Sequence, residues 1–176
     1  NTLIGHMQQC EMQGVKPDMV LVDYADIMKS TSKFTEKRHQ IGHVYEELRG
    51  MAGEFDIPIW TASQANRSAL EEDVIGAEKV SEDYSKVMTA DFVMSMSRKV
   101  EDKIANTGRF HVIKNRFGPD GITFPATINT NTGTIEIYDT NTQGGQEAQG
   151  KMNNADEYIR KTLAQKKKDF DGGGFE

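Results

Sequence analysis

The sequence has few of the features that mark secreted or membrane proteins. Its 176 residues contain a single cysteine, Cys10, so the chain cannot form an internal disulfide. We expect Cys10 to be a core residue rather than a nucleophile. No apolar run approaches the ~20 residues that a membrane helix needs. The first residues do not form the basic, apolar start of a signal peptide. We therefore expect a soluble protein of the cytoplasm, without a membrane partner.

Charge and hydropathy exclude a further class and point to a fragment. The formal net charge of -6 argues against a protein that coats nucleic acid non-specifically, although a single loop could still bind it. The mean hydropathy of -0.62 is low for a compact domain and indicates that part of the chain lies outside the core. The chain begins at Asn1, within a predicted helix, and we expect it to be truncated at its N-terminus.

The apolar pattern of the first third of the chain predicts a βαβ unit. Residues 1–13 have helical spacing, and Gly14 is a plausible stop. The run at 19–22 (MVLV) lacks alternation, as in a strand buried on both faces of a parallel sheet. Apolar residues then recur every three or four positions over 41–55, which predicts an amphipathic helix, and 57–62 forms the next strand. This order favours an α/β sheet.

The following part of the chain predicts mainly antiparallel strands. A polar excursion over 65–90 is too long for a simple turn and precedes a third strand at 91–96. Residues 109–113 and 122–128 alternate around a Gly-Pro turn, and the strand at 133–138 follows a second turn. The predicted fold class is therefore α/β, with a mostly parallel sheet that ends in antiparallel C-terminal strands.

Composition divides the chain into three parts. Residues 1–139 hold all the predicted strands. Residues 140–154 are rich in Gly, Gln and Asn, with almost no apolar side chains, which predicts a flexible linker. Residues 155–176 form a tail with one possible short helix.

Two polar residues follow strands that are expected to be neighbours. Asp23 ends the first strand, and Gln64 lies just past the second. Open α/β sheets bind ligands at the carboxyl ends of their strands, where a carboxylate suits Mg²⁺ and an amide can contact a phosphate oxygen. An Asp that caps a strand gives the same pattern, so each signal is weak alone. Asp26 leaves a two-carboxylate nuclease site as a minor alternative.

Two cations further along the chain form a second candidate site. Lys114 and Arg116 alternate on one predicted strand, so both side chains should point the same way and could clamp a phosphate. A solvated strand edge is the ordinary alternative, and without context the more common one. The pair His39 and His43 lacks a third metal ligand, and Ser63 lacks a base, so we expect neither zinc nor a nucleophilic serine.

Four motifs occur in one order along the chain. They are VLVDYADIM, SQANR, TADFVMSM and IKNRFGPDG. In this order and spacing, residues 18–139 resemble the ATPase domain of DnaB-like replicative DNA helicases. The resemblance implies a RecA-like fold, ATP and Mg²⁺ as cofactors, and a homohexamer that acts on single-stranded DNA.

The resemblance also implies roles for single residues. Asp23 would be the Walker B carboxylate that holds Mg²⁺, and Gln64 the glutamine that senses the γ-phosphate. Lys114 and Arg116 would reach the nucleotide of a neighbouring subunit. The DNA-contacting loop of the family would lie near residues 77–86. Its candidate DNA-binding residues are Lys79, Ser81, Glu82, Tyr84 and Lys86.

The sequence departs from the family pattern at several places. Asp26 stands where the family usually has a glutamine, and of the Arg-Glu-Ser-Gly quartet that usually opens the DNA loop only Glu82 remains. No GxxxxGK[ST] phosphate loop occurs, nor does the water-activating carboxylate that should follow it. We expect both upstream of Asn1, so the fragment alone should not hydrolyse ATP.

The expected function is that of the C-terminal part of an ATP-dependent 5′ to 3′ replicative DNA helicase, encoded by a phage. Primase, loader or polymerase are the expected fork partners, recruited through residues 155–176. Two alternatives stay open. One is another RecA-superfamily ATPase of the RadA or KaiC type, and the other is a non-catalytic module for replication assembly.

Overall fold

The computed structural model describes residues 2–32, 36–69, 72–79 and 84–172, apart from the side chains of Arg67, Asp156, Tyr158 and residues 162–172. The chain divides into two compact units. Unit 1 comprises Asn1–Asn66 and Ala77–Val93, and unit 2 comprises Arg67–Gly76 and Met94–Glu176. None of the described helices has an apolar stretch long enough to cross a membrane.

Unit 1 contains the predicted βαβ arrangement. Its elements are α1 (Thr2–Met12), β1 (Val20–Val22), α2 (Lys37–Phe55), β2 (Ile59–Thr61) and α3 (Ser85–Thr89). Strands β1 and β2 pair in parallel, with Leu21 opposite Trp60. Gly14 follows α1 at a φ of +73°, a backbone conformation that glycine adopts without steric cost, so the predicted helix end is confirmed.

The core of unit 1 is the apolar face of α2. Ile41, Val44 and Leu48 are buried together with Ala25, three residues past the end of β1. The spacing of three and four positions places these side chains on one side of the helix, as the sequence predicts. Burial of each side chain of this size stabilises the fold by roughly 1.5–3 kcal/mol. The core therefore fixes the segment that follows β1 against α2.

The prediction that β1 is buried on both faces is wrong. Val22 and Ile59 pack against the core, whereas Leu21 is 72% exposed and Trp60, its partner across the pair, is 47% exposed. Alternate residues of a strand point to opposite faces, so α2 covers only one face of this two-stranded pair. The unbroken apolar run therefore predicted the strand correctly, but it did not predict which face of the strand is exposed.

Unit 2 is built on an antiparallel sheet. Its elements are α4 (Val100–Ala105), β4 (Thr107–Asn115), β5 (Thr123–Asn129), β6 (Thr134–Ile137) and α5 (Gln143–Gly172), and β3 (Phe92–Ser97) enters it from unit 1. The strand order is β3-β4-β5-β6. Strands β4, β5 and β6 are antiparallel neighbours, with Phe110 opposite Phe124. The predicted meander is confirmed, whereas α4 was not predicted.

The predicted flexible linker at 140–154 is wrong, and so is the short helix in the tail. A single helix, α5, runs from Gln143 to Gly172. Its start is held by Thr142, whose hydroxyl accepts the Gly145 N–H at 3.2 Å. Ala148 and Met152 are each 1% exposed, and α5 contacts α4, β4 and β5. Two apolar residues one turn apart therefore anchor a helix that its Gly-rich composition disfavours.

Candidate functional site

The carboxyl ends of β1 and β2 lie side by side. Val22 is opposite Thr61 in the parallel register, so Asp23 and Gln64 follow adjacent strand ends. Both side chains are exposed. The Gln64 amide donates to the hydroxyl of Tyr24 at 3.4 Å, which links the segment after β2 to the residue next to Asp23. The predicted neighbourhood of these two strands is confirmed.

The hydroxyl of Thr61 fixes the backbone on both sides of Asp23. It donates to the carbonyl of Val22 at 2.9 Å and accepts the N–H of Ala25 at 2.9 Å. The peptide bond between Asp23 and Tyr24 is cis. Sequence reasoning missed Thr61, although a hydroxyl residue at the end of a strand beside a candidate site is a signal that could have found it.

The described residues fit a magnesium ion held by one protein carboxylate. They include no group of three or more His, Cys, Asp or Glu side chains that could hold a metal ion, so an ion at Asp23 would take most of its ligands from water and phosphate. Mg²⁺ in nucleotide sites keeps several waters and binds through one or two carboxylates plus phosphate oxygens. Such an ion suits an exposed Asp at a strand end. It would not suit a site that needs a complete protein cage.

Asp26 belongs to a largely buried charge cluster with Tyr45, Ser63 and Lys86, in which Ser63 is the exposed member. Its Oδ1 accepts the Tyr45 hydroxyl at 2.8 Å and lies 2.9 Å from Lys86 Nζ, and its Oδ2 accepts the Ser63 hydroxyl at 2.9 Å. Lys86 Nζ also donates to Ser63 Oγ at 3.1 Å and lies 5.6 Å from the centre of the Tyr45 ring. These bonds engage both carboxylate oxygens, which disfavours Asp26 as the second metal ligand of the two-carboxylate nuclease alternative.

The cluster keeps Asp26 ionised. Burial raises the pKa of this carboxyl, but the hydrogen bonds from Lys86, Tyr45 and Ser63 outweigh it and hold the pKa below the ordinary value of 3.8. Burial, together with the carboxylate of Asp26, raises the pKa of the Tyr45 hydroxyl. At neutral pH the cluster therefore holds a paired anion and a neutral phenol.

The structure corrects the role predicted for Lys86. Its side chain is 3% exposed and ion-pairs with Asp26, so it offers no ammonium surface to a DNA phosphate. Among the other candidates, Tyr84 lies directly before α3 and is 55% exposed. Lys79 ends a 3-10 turn (Ala77–Lys79) and is half-buried. Ser81 and Glu82 lie outside the described residues.

Lys114 and Arg116 do not share a strand as predicted. Strand β4 ends at Asn115, which places Lys114 in the strand and Arg116 in the exposed turn after it. The side chain of Asn115 causes the change of direction, because its oxygen accepts the Phe117 N–H and its amide donates to the Pro119 carbonyl, each at 3.2 Å. Strand alternation therefore does not align the two cations.

Unit 2 has its own ionic cluster, distant in sequence from these candidate residues. Asp102 is 2% exposed, and its Oδ2 lies 2.6 Å from Arg109 on β4. The same oxygen accepts the N–H of Lys99 at 2.9 Å, at the start of α4. Asp73 pairs with Lys99 at 2.9 Å and with Arg109 at 3.3 Å. This cluster joins α4, β4 and the segment around Asp73.

Solved structures define the class of protein to which this fold belongs. One solved structure, described as an ATPase domain, matches with a TM-score of 0.66 at 19% identity, covering 77% of this chain and 50% of that one. A DnaB-like replicative helicase, whose structure is described with its interactions with primase, matches with a TM-score of 0.64 at 20% identity, covering 74% of this chain and 33% of that one. The fold is therefore that of RecA-like ATPase domains.

The sequence identifies the family within this class. Residues 2–132 match the DnaB-like helicase C terminal domain family, and the chain belongs to it. The DnaB-like replicative helicase of Enterobacteria phage T4 is 29% identical over 105 residues, which are 58% of this chain and 22% of that protein. The chain thus spans less than a quarter of the length of this curated relative. The resemblance carried by the motifs is confirmed.

Proposed function

We propose that the chain is the C-terminal part of the motor domain of an ATP-dependent replicative DNA helicase. In the intact protein, a homohexamer would hydrolyse ATP at subunit interfaces and move 5′ to 3′ along single-stranded DNA. The observation that carries this proposal is the adjacency of Asp23 and Gln64 at parallel strand ends, in a chain of the DnaB-like family. The family match favours this function over a RadA- or KaiC-like ATPase.

Asp23 and Gln64 would contact the nucleotide and its metal. Mg²⁺, when bound, neutralises negative charge on the phosphates. Asp23 would hold this ion, and Thr61 would keep Asp23 in place through the backbone groups on either side of it. The Gln64 amide would donate to a phosphate oxygen, oriented by its bond to Tyr24. The phosphate-binding loop and the carboxylate that activates water would have to be supplied by another part of the intact protein.

Lys114 and Arg116 would act on the nucleotide of the neighbouring subunit. What supports this assignment is the position of Arg116 in the exposed turn that Asn115 begins, directly after β4. A guanidinium held in a turn can reach a phosphate across an interface, where its fork of donors suits the phosphate oxygens.

Residues 77–86 would contact single-stranded DNA with little positive charge. Tyr84 is suited to stack on a base, because its ring is exposed and stacking does not depend on base identity. Lys79 would supply a phosphate contact, and Ser81 and Glu82 would complete the segment. Since Lys86 is paired internally, the salt dependence of DNA binding through this segment should be shallow.

The segment 155–176 would recruit a partner at the fork, such as a primase, a loader or a polymerase. What supports this proposal is that the buried positions of α5 among those the structure describes, Gly145, Ala148 and Met152, all precede this segment. A solved relative is described with its interactions with primase, which is a statement about that protein.

The test compares two aspartates at opposite ends of β1 in the intact protein. Asp23→Asn should lower ATP turnover at least ~100-fold, a plausible size for a lost metal contact. Asp18→Asn, an exposed aspartate before the start of the same strand, should leave turnover unchanged. Near-normal turnover of Asp23→Asn, or equal losses in both variants, would remove the assignment of Asp23. Strand displacement on forks with a 5′ or a 3′ tail tests the direction of movement.

A further inference from the structure

The buried charge cluster joins three parts of unit 1 that are far apart in sequence. Asp26 lies in the turn after β1, Ser63 two residues after the end of β2, and Lys86 on α3. The side chain of Lys86 is 3% exposed and that of Asp26 is 13% exposed, so water screens their attraction poorly. A core that needed only packing would place apolar residues here, since buried ion pairs add little net stability. The cluster therefore calls for a reason beyond stability.

The position of the cluster suggests that reason. Asp26 lies three residues after Asp23, and Ser63 directly precedes Gln64. The ammonium of Lys86 bonds to both Asp26 and Ser63. A shift of α3 would therefore displace the neighbours of the two residues that are proposed to contact the nucleotide.

The segment proposed to contact DNA is attached a second time near Gln64. The Asn66 N–H donates to the carbonyl of Lys79 at 2.8 Å. Asn66 lies two residues after Gln64, whereas Ser63 lies one residue before it. The described parts of this segment, 77–79 and 84–86, are thus bonded through Lys79 and Lys86 to residues within two positions of Gln64.

We propose that Asp26 and Lys86 are positioning residues that couple the DNA-contacting segment at 77–86 to Asp23 and Gln64. This inference rests on the proposed function. In it, Lys86 transmits the effect of DNA without contacting DNA, because DNA binding shifts α3 and the buried pair moves the strand-end residues with it. Asp26 and Lys86 act together in this coupling, so the effects of replacing them should not be additive.

The test is a double-mutant cycle in the intact helicase, with single-stranded oligothymidine as the probe. Asp26→Asn and Lys86→Gln should each lower the ratio of DNA-stimulated to basal ATP turnover about 10-fold, a usual size for coupling between two sites. The double variant should recover part of this ratio, because it leaves no buried charge without its partner. The affinity for oligothymidine and its salt dependence should stay at the wild-type level in Lys86→Gln.

Four results would overturn the inference. A salt slope of DNA binding that falls by about one in Lys86→Gln would make Lys86 a phosphate contact. Equal losses of basal and stimulated turnover would reduce the cluster to a support of the fold, as would strictly additive effects in the double variant. If wild-type turnover shows no response to oligothymidine, the proposed function itself fails. A responsive wild type with unchanged variants overturns the inference alone.

A milder variant keeps the test possible if Asp26→Asn or Lys86→Gln does not fold. Tyr45→Phe removes the hydroxyl that donates to Asp26 but keeps the aromatic ring over Lys86. The ratio of stimulated to basal turnover should fall about fivefold, the equivalent of one ordinary hydrogen bond. An unchanged ratio in Tyr45→Phe would contradict the coupling role.

Discussion

The two units each bury an ion pair, and the pairs differ in what they join. In unit 2, Asp102 and Arg109 are seven positions apart and hold α4 to the strand that follows it. In unit 1, Asp26 and Lys86 lie far apart in sequence and join the end of a parallel strand to α3. The first pair, with the contacts of Asp73, holds together α4, β4 and the segment around Asp73, none of which has a proposed role in DNA contact. The second connects segments that have separate proposed roles, so it can carry a signal between them.

The same contrast applies to the candidate site residues. Unit 1 holds Asp23 and Gln64, which follow adjacent strands and would act on the nucleotide of their own subunit. Unit 2 holds Lys114 and Arg116, which lie at the end of an antiparallel strand and would act on the nucleotide of a neighbour. Mutations in the two units should therefore differ in how they affect mixed rings.

The largest expected effect separates these two modes of action. Subunits with Arg116→Ala should still bind nucleotide, since the residues proposed for their own pocket are unchanged. Mixed with Asp23→Asn subunits, they should recover ATP turnover that neither variant has alone, because an intact strand-end site then meets the intact cation of its neighbour. ATP turnover of the mixed rings, compared with that of each variant alone, checks this expectation. Mixtures that show no recovery would place Arg116 in the site of its own subunit.

The next effect concerns how the first turns of α5 contribute to the stability of unit 2. A Cβ at Gly145 would collide with the carbonyl of Asp139, whereas a Cβ at Gly150 meets nothing within 4 Å. Gly145→Ala should destabilise the protein by roughly 1–3 kcal/mol, as overpacking does. Gly150→Ala should stabilise it by about 1 kcal/mol, because alanine favours the helix. The urea unfolding midpoints of these two variants test whether α5 begins here. If neither substitution changed the midpoint, the prediction of a flexible linker at 140–154 would be favoured instead.

A smaller effect concerns acid and the unit 1 pair. The pKa of Asp26 in the folded protein lies below 3.8, so the carboxylate stabilises the fold fully above this value. The contribution is lost as the pH falls through the lower folded pKa. Asp26→Asn should therefore unfold at lower urea than the wild type at neutral pH, and the difference should shrink in acid. A difference that stays constant from neutral pH to below 3.8 would contradict an ionised Asp26.

The sequence predicted the elements whose pattern is local. The period of α2 and the alternation of β4 and β5 reflect burial along a single element, so composition and spacing are sufficient. The adjacency of Asp23 and Gln64 was predictable because parallel strands place their carboxyl ends at one edge.

Features that depend on partners distant in sequence were not predictable. Lys86 was expected to contact DNA because the resemblance places the DNA loop of the family near residues 77–86, and no residue near it in sequence indicates its pairing with Asp26 and Ser63. Helix α5 was missed because its Gly-rich composition disfavours a helix, whereas Ala148 and Met152 are buried against other elements of unit 2. Arg116 was placed on a strand because the turn chemistry of Asn115 went unrecognised.

One measurement tests the contrast between the two buried pairs most directly. It is the ratio of DNA-stimulated to basal ATP turnover in two variants of the intact protein, Lys86→Gln and Asp102→Asn, at a temperature at which both stay folded. Each substitution removes one member of a buried ion pair; Arg109 then keeps Asp73 as a partner, and Asp26 keeps the hydroxyl groups of Tyr45 and Ser63. We expect the ratio to fall about 10-fold in Lys86→Gln and to stay at the wild-type value in Asp102→Asn. Equal ratios in the two variants would contradict a coupling role specific to unit 1.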